Sequence, residues 1–324
     1  MSADTAVLVG DIGGTHARFA VVETGVTPWR IDHRLDLEGD FPDLSAALRT
    51  YLERTGLAST PTAAAIAVAG PVTAGHVTLT NRAWHTSEDE LRAFGFRDAL
   101  LVNDFAALAF AVAALPPSAF HGIGPDLPGL EGEPITVLGA GTGFGVSCLA
   151  RSRGRAVALA TEAGHAGFAP GDEREIAVLR ILAQRFGHVS TERILSGPGI
   201  ENLHAALAQI AGRPAPVLDA AEIVARRTSD EDCRAAVDMF CAVYGTVAGD
   251  LALAHGARGG VFLAGGIAQK IETVLAESAF RARFEAKGRL SPYVQAIPTR
   301  LILSEDAAYL GAAAASLEFR PDAP

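Results

Sequence analysis

Apolar positions cluster at Ala6–Gly10, break at a glycine-bearing turn and resume at Ala17–Glu23, which predicts strand, tight loop and strand in succession. At Leu44, Leu48, Tyr51 and Leu52 the spacing changes to that of a helix, and Gly56 stands where a C′ residue ends one. The run TAAAIAVAG, Thr62–Gly70, is short, continuous and followed by proline, so it predicts a buried strand. Ser87 and Glu90 are spaced as a capping box that starts a helix through Leu91. LLVND then reads as a strand ending on two polar side chains, followed by an alanine-rich helix.

A Pro/Gly-rich stretch, Pro116–Pro134, is the best candidate for a domain junction, and reads equally as one long surface loop. Beyond it ITVLGAGTGFGVSCLA repeats the opening grammar, with turns beginning at Gly10 and Gly139. Helical spacing through Ile176, Leu179, Ala183 and Phe186 stops at Gly187. VFLAGG predicts a late strand, and LILSE precedes an alanine-rich C-terminal helix. Strands and helices alternate throughout, so the class is α/β. The expected division is residues 1–115 plus 306–324 in a small domain and 116–305 in a large one.

Composition narrows the partners. A chain of 324 residues with 49% hydrophobic and 20% charged residues has material for a full core in about two domains. The net charge of −10 opposes general binding to nucleic acid or to anionic membrane surfaces. The longest unbroken apolar run, Phe105–Leu115, is too short to span a bilayer, which takes about 20 residues. Cys148, Cys233 and Cys241 form no CxxC pair and fit a reducing compartment; with no basic, apolar leader visible, a cytoplasmic protein is expected.

GDIGGTHAR, Gly10–Arg18, carries the most chemistry. Glycines at 10, 13 and 14 clear a turn for close approach of an anion to backbone N–H groups, and Thr15 adds a hydroxyl. Asp11 is wrong for a bare phosphate but right for one bridged by a metal ion. The sequence holds no Gly-Lys dipeptide, which excludes a Walker A loop, and GAGTGFG misses the spacing of a dinucleotide fingerprint. Taken alone, each turn also reads as an ordinary glycine hairpin.

The strand–GDIGGT–strand opening, the later strand–GAGTG–strand and VFLAGG resemble the phosphate- and adenosine-binding turns of the actin-like sugar kinase superfamily. LVNDF, EAGH with FAP, and ERILSGPG are similar to blocks of the bacterial-type glucokinases, and together these matches cover essentially the whole chain. The resemblance implies a two-lobed actin-like, ribonuclease H-like α/β fold with an interdomain cleft. It implies transfer of the γ-phosphoryl group of Mg-ATP to the 6-hydroxyl of D-glucose. ATP would lie on Gly10, Asp11, Ile12, Gly13, Gly14, Thr15, Gly141, Thr142, Gly143, Gly265 and Gly266, with Mg²⁺ near Asp11. Asp104 would accept the sugar's hydroxyl proton, and Asn103, Glu162, His165 and Glu192 would hold its hydroxyls.

Read without the resemblance, Asn103 or Asp104 is an N-cap, His165 a structural histidine and Glu192 a first-turn acid on a helix beginning after Ser190 and Thr191. Trp84 reads better as packing than as a border of the sugar site, and Cys233 and Cys241 as core. His16 and Ala163 depart from the family's usual Asn and Gly, which leaves sugar preference more open than reaction class. The rivals are a kinase for another hexose, or a non-enzymatic sugar sensor on the same fold. The sensor would need a DNA-binding module, for which a first strand at Ala6 leaves no room. A homodimer is expected.

Overall fold

The computed structural model describes residues 5–13, 17–38, 41–79 and 84–319. Two compact units emerge. The first comprises Met1–Pro117, Ser152–Ala160 and Ser304–Pro324; the second comprises Ser118–Arg151 and Thr161–Leu303.

The chain begins with β1 (Ala6–Ile12), β2 (Ala17–Glu23), β3 (Arg30–Leu37), α1 (Leu44–Thr55), β4 (Ala63–Val68), β5 (His76–Leu79), β6 (Trp84–Ser87), α2 (Glu88–Phe94), β7 (Asp98–Asn103) and α3 (Asp104–Ala114). β1 pairs antiparallel with β2 and parallel with β4, which pairs parallel with β7, giving the order β3-β2-β1-β4-β7. Every residue of β4 is buried, as expected of a central strand covered on both faces. Local signals set the helix ends. The Asp43 carboxylate accepts from Ala46 N–H at 2.7 Å, and Gly56 closes α1 at φ +56°. Ser87 caps α2 by accepting from Glu90 N–H at 3.2 Å.

The chain continues through β8 (Phe120–Gly122), β9 (Ile135–Ala140), β10 (Phe144–Ser152), β11 (Arg155–Thr161), α4 (Glu173–Phe186), α5 (Gly197–Ile210), α6 (Ala220–Arg226), α7 (Glu231–His255) and β12 (Gly260–Ala264). Short helices α8 (Gly266–Lys270), α9 (Glu272–Glu277), α10 (Phe280–Glu285) and α11 (Ser291–Gln295) lead to β13 (Thr299–Ile302), and α12 (Ala307–Glu318) follows. In the second unit β10 pairs antiparallel with β9, and β9, β12 and β13 are parallel neighbours. The strand sets β2-β1-β4-β7 and β10-β9-β12-β13 thus have the same order and sense. The repeated strand–turn–strand grammar of the sequence is a repeated sheet topology.

The first core gathers Leu8, Phe19, Leu48, Tyr51 and Ile66, with the Phe19 and Tyr51 rings 5.3 Å apart. Trp84 belongs to it; the indole is buried and donates to the Phe41 carbonyl at 2.8 Å. α12 lies so close on α3 that a Cβ on Gly311 would stand 1.9 Å from the Ala107 carbonyl oxygen. The second core surrounds α7. By length and composition alone α7 could cross a membrane, but 61% of its most apolar window is buried among Phe240, Tyr244, Phe280 and their neighbours. Cys148, Cys233 and Cys241 are all buried free thiols, and burial pushes that of Cys241 up to about 12.

Candidate functional site

In the first unit the candidate residues share one edge of the parallel strands. Ile12 aligns with Val68 on β4, and Val68 aligns with Asn103 on β7, so the first glycine turn and the Asn103–Asp104 pair leave the sheet at the same carboxyl edge. That edge is where α/β sheets bind ligands. Ala69 N–H donates to the Ile12 carbonyl at 3.1 Å, and Asn103 Nδ2 donates to the Gly70 carbonyl at 3.2 Å, which knits the three strand ends together.

Asn103 is the N-cap of α3: its Oδ1 accepts from Phe105 N–H at 3.0 Å and Ala106 N–H at 3.1 Å. Asp104 is the first helical residue, and its Oδ1 accepts from Phe105 N–H at 2.9 Å and Asn103 Nδ2 at 3.0 Å. The carboxylate is therefore held by fixed donors at the positive end of a helix, a rigid, half-buried anion.

Gly10, Asp11 and Ile12 lie inside β1 rather than in its turn. The missing side chain of Gly10 serves packing, since a Cβ there would meet Ile66 Cδ1 at 2.8 Å. Ile12 is buried and presents only its backbone. Asp11 forms an ion pair with Arg18, its partner across the β1–β2 hairpin, and its side chain is only 14% exposed. Arg18 is the residue the sequence reading passed over; the hairpin register that pairs positions 11 and 18 is the signal that finds it. Gly14 and Thr15, like His16, lie outside the described residues.

The second unit brings its own candidates to the start of β10. Gly141 N–H donates to the Gly143 carbonyl at 2.8 Å and closes the second glycine turn. Gly197 N–H donates back to the Gly141 carbonyl at 2.8 Å, so the SGPG segment rests on that turn. Thr142 is exposed at its tip. Glu192 accepts from Phe144 N–H at 2.9 Å, and a Cβ on Gly143 would approach its Oε2 to 2.7 Å. Glu192 sits on a single 3-10 turn, Thr191–Arg193, and not at the start of an α-helix. The chain turns again at Ile194 and Leu195, and α5 begins only where Ser196 accepts from Gly199 N–H.

Glu162 and His165 flank another 3-10 turn, Ala163–His165. Gly164 at its centre is required by close approach: a Cβ there would lie 2.1 Å from the Phe144 carbonyl oxygen. Phe144 therefore contacts the Glu192 segment through its N–H and the Glu162–His165 turn through its carbonyl. Glu162 Oε2 and His165 Nε2 stand 3.9 Å apart, with 64% and 60% of their side chains exposed, so these groups face solvent within their unit instead of lying buried.

The VFLAGG turn joins this cluster. Ala264 aligns with Gly139 across β12 and β9, and Gly265, at φ +87°, would place a Cβ 2.4 Å from the Ala140 carbonyl. Only glycine allows the two turns to lie this close, and Gly266 opens α8 directly after it.

A sequence model described as Glucokinase matches residues 8–318. The glucokinase of Caulobacter sp. (strain K31) is 49% identical over 311 residues, which cover 95% of this chain and 94% of that protein. A crystal structure of glucokinase from an Antarctic psychrotroph is 39% identical, covers 96% of this chain and 98% of its own, and superposes with a TM-score of 0.88. A ROK family glucokinase from Streptomyces griseus, in complex with glucose and AMPPNP, shares the fold at a TM-score of 0.60 and 19% identity, covering 95% and 98% of the two chains. The fold is that of the actin-like sugar kinases, and the chain belongs to the glucokinase family.

Proposed function

We propose that the protein transfers the γ-phosphoryl group of Mg-ATP to the 6-hydroxyl of D-glucose, with Asp104 as the group that takes the hydroxyl proton. Family membership over residues 8–318 carries the reaction class, a glucose kinase. One observation supports the assignment of the base: Asp104 follows the capping residue Asn103 at the carboxyl edge from which the first glycine turn also leaves. A base at this point is fixed before substrate arrives, and positioning is the main contribution a protein can make to phosphoryl transfer.

In this reading Asn103, Glu162, His165 and Glu192 hold sugar hydroxyls. Carboxylates accept, while the amide and the imidazole supply both donor and acceptor. The turn after β1, Gly13–Thr15, together with Thr142 and Gly143, offers backbone N–H groups to phosphates; Gly10–Ile12 and Gly141 support these turns, and Gly265 and Gly266 border the adenosine. Asp11 suits Mg²⁺ as a hard oxygen donor, and Arg18 already shares its charge, which favours contact through the ion's water shell over direct ligation. Bound there, Mg²⁺ supplies neutralisation of phosphate charge. The two compact units serve as the small and large domains, and the enzyme works in the cytoplasm as a homodimer.

The test is a coupled assay over a panel of hexoses and phosphoryl donors, with and without EDTA. Glucose with ATP and Mg²⁺ is expected to give the highest kcat/KM, and EDTA to abolish turnover. A different hexose leading the panel, or turnover undiminished after complete metal removal, overturns the reading.

A further inference from the structure

Phosphoryl transfer uses neither His204 nor Cys233, yet these buried side chains meet at the start of α7. His204, on α5, is 3% exposed, and Cys233, in the first turn of α7, is fully buried. With Asp230, the N-cap of α7, they present an imidazole nitrogen, a sulfur and a carboxylate oxygen that all lie within 4.8 Å of one another. The His204 imidazole interacts electrostatically with the Asp230 carboxylate. That ring also borders a groove of about 330 Å³ whose walls include Pro198, Ala215, Val217 and Leu218.

We propose that His204, Asp230 and Cys233 bind one divalent cation of the zinc class, at a site separate from the phosphoryl-transfer machinery. The donor set argues for the class of ion. One nitrogen, one sulfur and one oxygen suit a borderline-soft ion that accepts tetrahedral coordination, whereas Mg²⁺ takes oxygen ligands in octahedral geometry. The charges balance as well. On binding, the Cys233 thiol loses its proton to solvent, and thiolate, carboxylate and neutral imidazole together offset the charge of the dication. Asp230 is oriented beforehand, because its Oδ1 accepts from Asp232 N–H at 2.9 Å and from Cys233 N–H at 3.0 Å. Two cationic side chains that act electrostatically on the cluster also pair with other carboxylates, Arg226 with Glu222 at 3.2 Å and Arg213 with Asp232 at 2.9 Å. Three protein ligands leave the fourth tetrahedral position to a water. The bound ion links α5 to α7, and α5 is the helix whose first residue rests on the second glycine turn.

Metal-free protein, stripped with a chelator, is titrated with Co²⁺ and followed by absorption. One equivalent per chain is expected to raise a near-ultraviolet thiolate-to-cobalt band and visible bands of tetrahedral intensity. Zn²⁺ should bleach both, and millimolar Mg²⁺ should not. Cys233→Ser should remove the thiolate band, which separates this site from Cys148 and Cys241. His204→Gln, and Asp230→Asn, which keeps a helix cap, should each weaken Co²⁺ binding at least about 10–100-fold, the loss seen even for residues that only orient a ligand. If Cys233→Ser does not fold, by circular dichroism, the other two variants carry the test. Absence of a thiolate band in the wild type, or undiminished affinity in a folded variant, overturns the proposal.

Discussion

The carboxylate of Glu192 accepts the amide proton of Phe144 at 2.9 Å, so a side chain assigned to the sugar is also part of the second glycine turn. Glu162 differs: its carboxylate faces solvent, 3.9 Å from the His165 imidazole. The two acids should therefore behave differently when truncated. Glu162→Ala is expected to weaken glucose binding by roughly 2–3 kcal/mol, the scale of a hydrogen bond to a charged group, and to leave affinity for a non-hydrolysable ATP analogue unchanged. Glu192→Ala should weaken both ligands, because it also releases the Phe144 amide. Calorimetry with each ligand checks the split. Nucleotide affinity that survives Glu192→Ala intact would show that the Phe144 contact does nothing for the turn.

The helix that carries Asp104, the proposed base, depends on a contact with its neighbour. Gly311 on α12 faces the Ala107 carbonyl of α3 with no room for a methyl group. Alanine would favour an isolated helix by about 1 kcal/mol over glycine, while overpacking costs about 1–3 kcal/mol or more. Backbone carbonyls cannot swing aside as a flexible side chain can, so the steric term wins. Gly311→Ala is expected to lower the urea midpoint and, by displacing α3, to reduce kcat more than it raises the KM for glucose. An unchanged midpoint would mean that the helices separate without cost.

Much of this arrangement is legible in the residues. The second glycine turn, the strand ends at Asn103 and Ala264, the Gly56 end of α1 and the capped start of α2 all follow from local pattern and spacing. β3 does not, because its eight residues RIDHRLDL alternate poorly and carry the charges of an edge strand. At Glu192 the sequence predicts a helix start, with serine and threonine before it as a cap. What decides its position is tertiary: the Phe144 amide, 48 residues earlier, takes the carboxylate. Gly10 shows the reverse case, a glycine read for its turn and used for its small size against Ile66 and Phe19.

Acid should weaken the second unit through one half-buried imidazole. His255, in the last turn of α7, is within hydrogen-bonding distance of the Thr136 hydroxyl at 2.8 Å, and burial holds its pKa below the usual histidine value. The unfolded chain therefore binds this proton at a higher pH than the folded one. Stability is independent of this group well above about 6.5, the unperturbed value, and falls as pH drops below it until the folded imidazole also titrates. Denaturant midpoints at pH 7.5 and 5.5 should differ less in a His255→Gln variant than in the wild type. Equal differences would show that another group sets the acid limb.

Asp104→Asn separates two roles that α3 places side by side. Asn103 already caps the helix with two amide hydrogen bonds, and an asparagine at 104 keeps a carbonyl for Phe105 N–H. Folding stability should therefore change by no more than about 1 kcal/mol, whereas Asn103→Ala, which removes the cap, should cost about 0.5–2 kcal/mol. An amide cannot take a proton at neutral pH. If Asp104 is the base, kcat should fall roughly 10²–10⁴-fold, about 3–5 kcal/mol of barrier. Glucose affinity should change less, since the amide still hydrogen-bonds the hydroxyl in the ground state. Steady-state kinetics beside urea melts on both variants give the answer. A well-folded Asp104→Asn protein that keeps more than about a tenth of wild-type kcat lies above the floor for losing a general base, and would return Asp104 to a purely structural role.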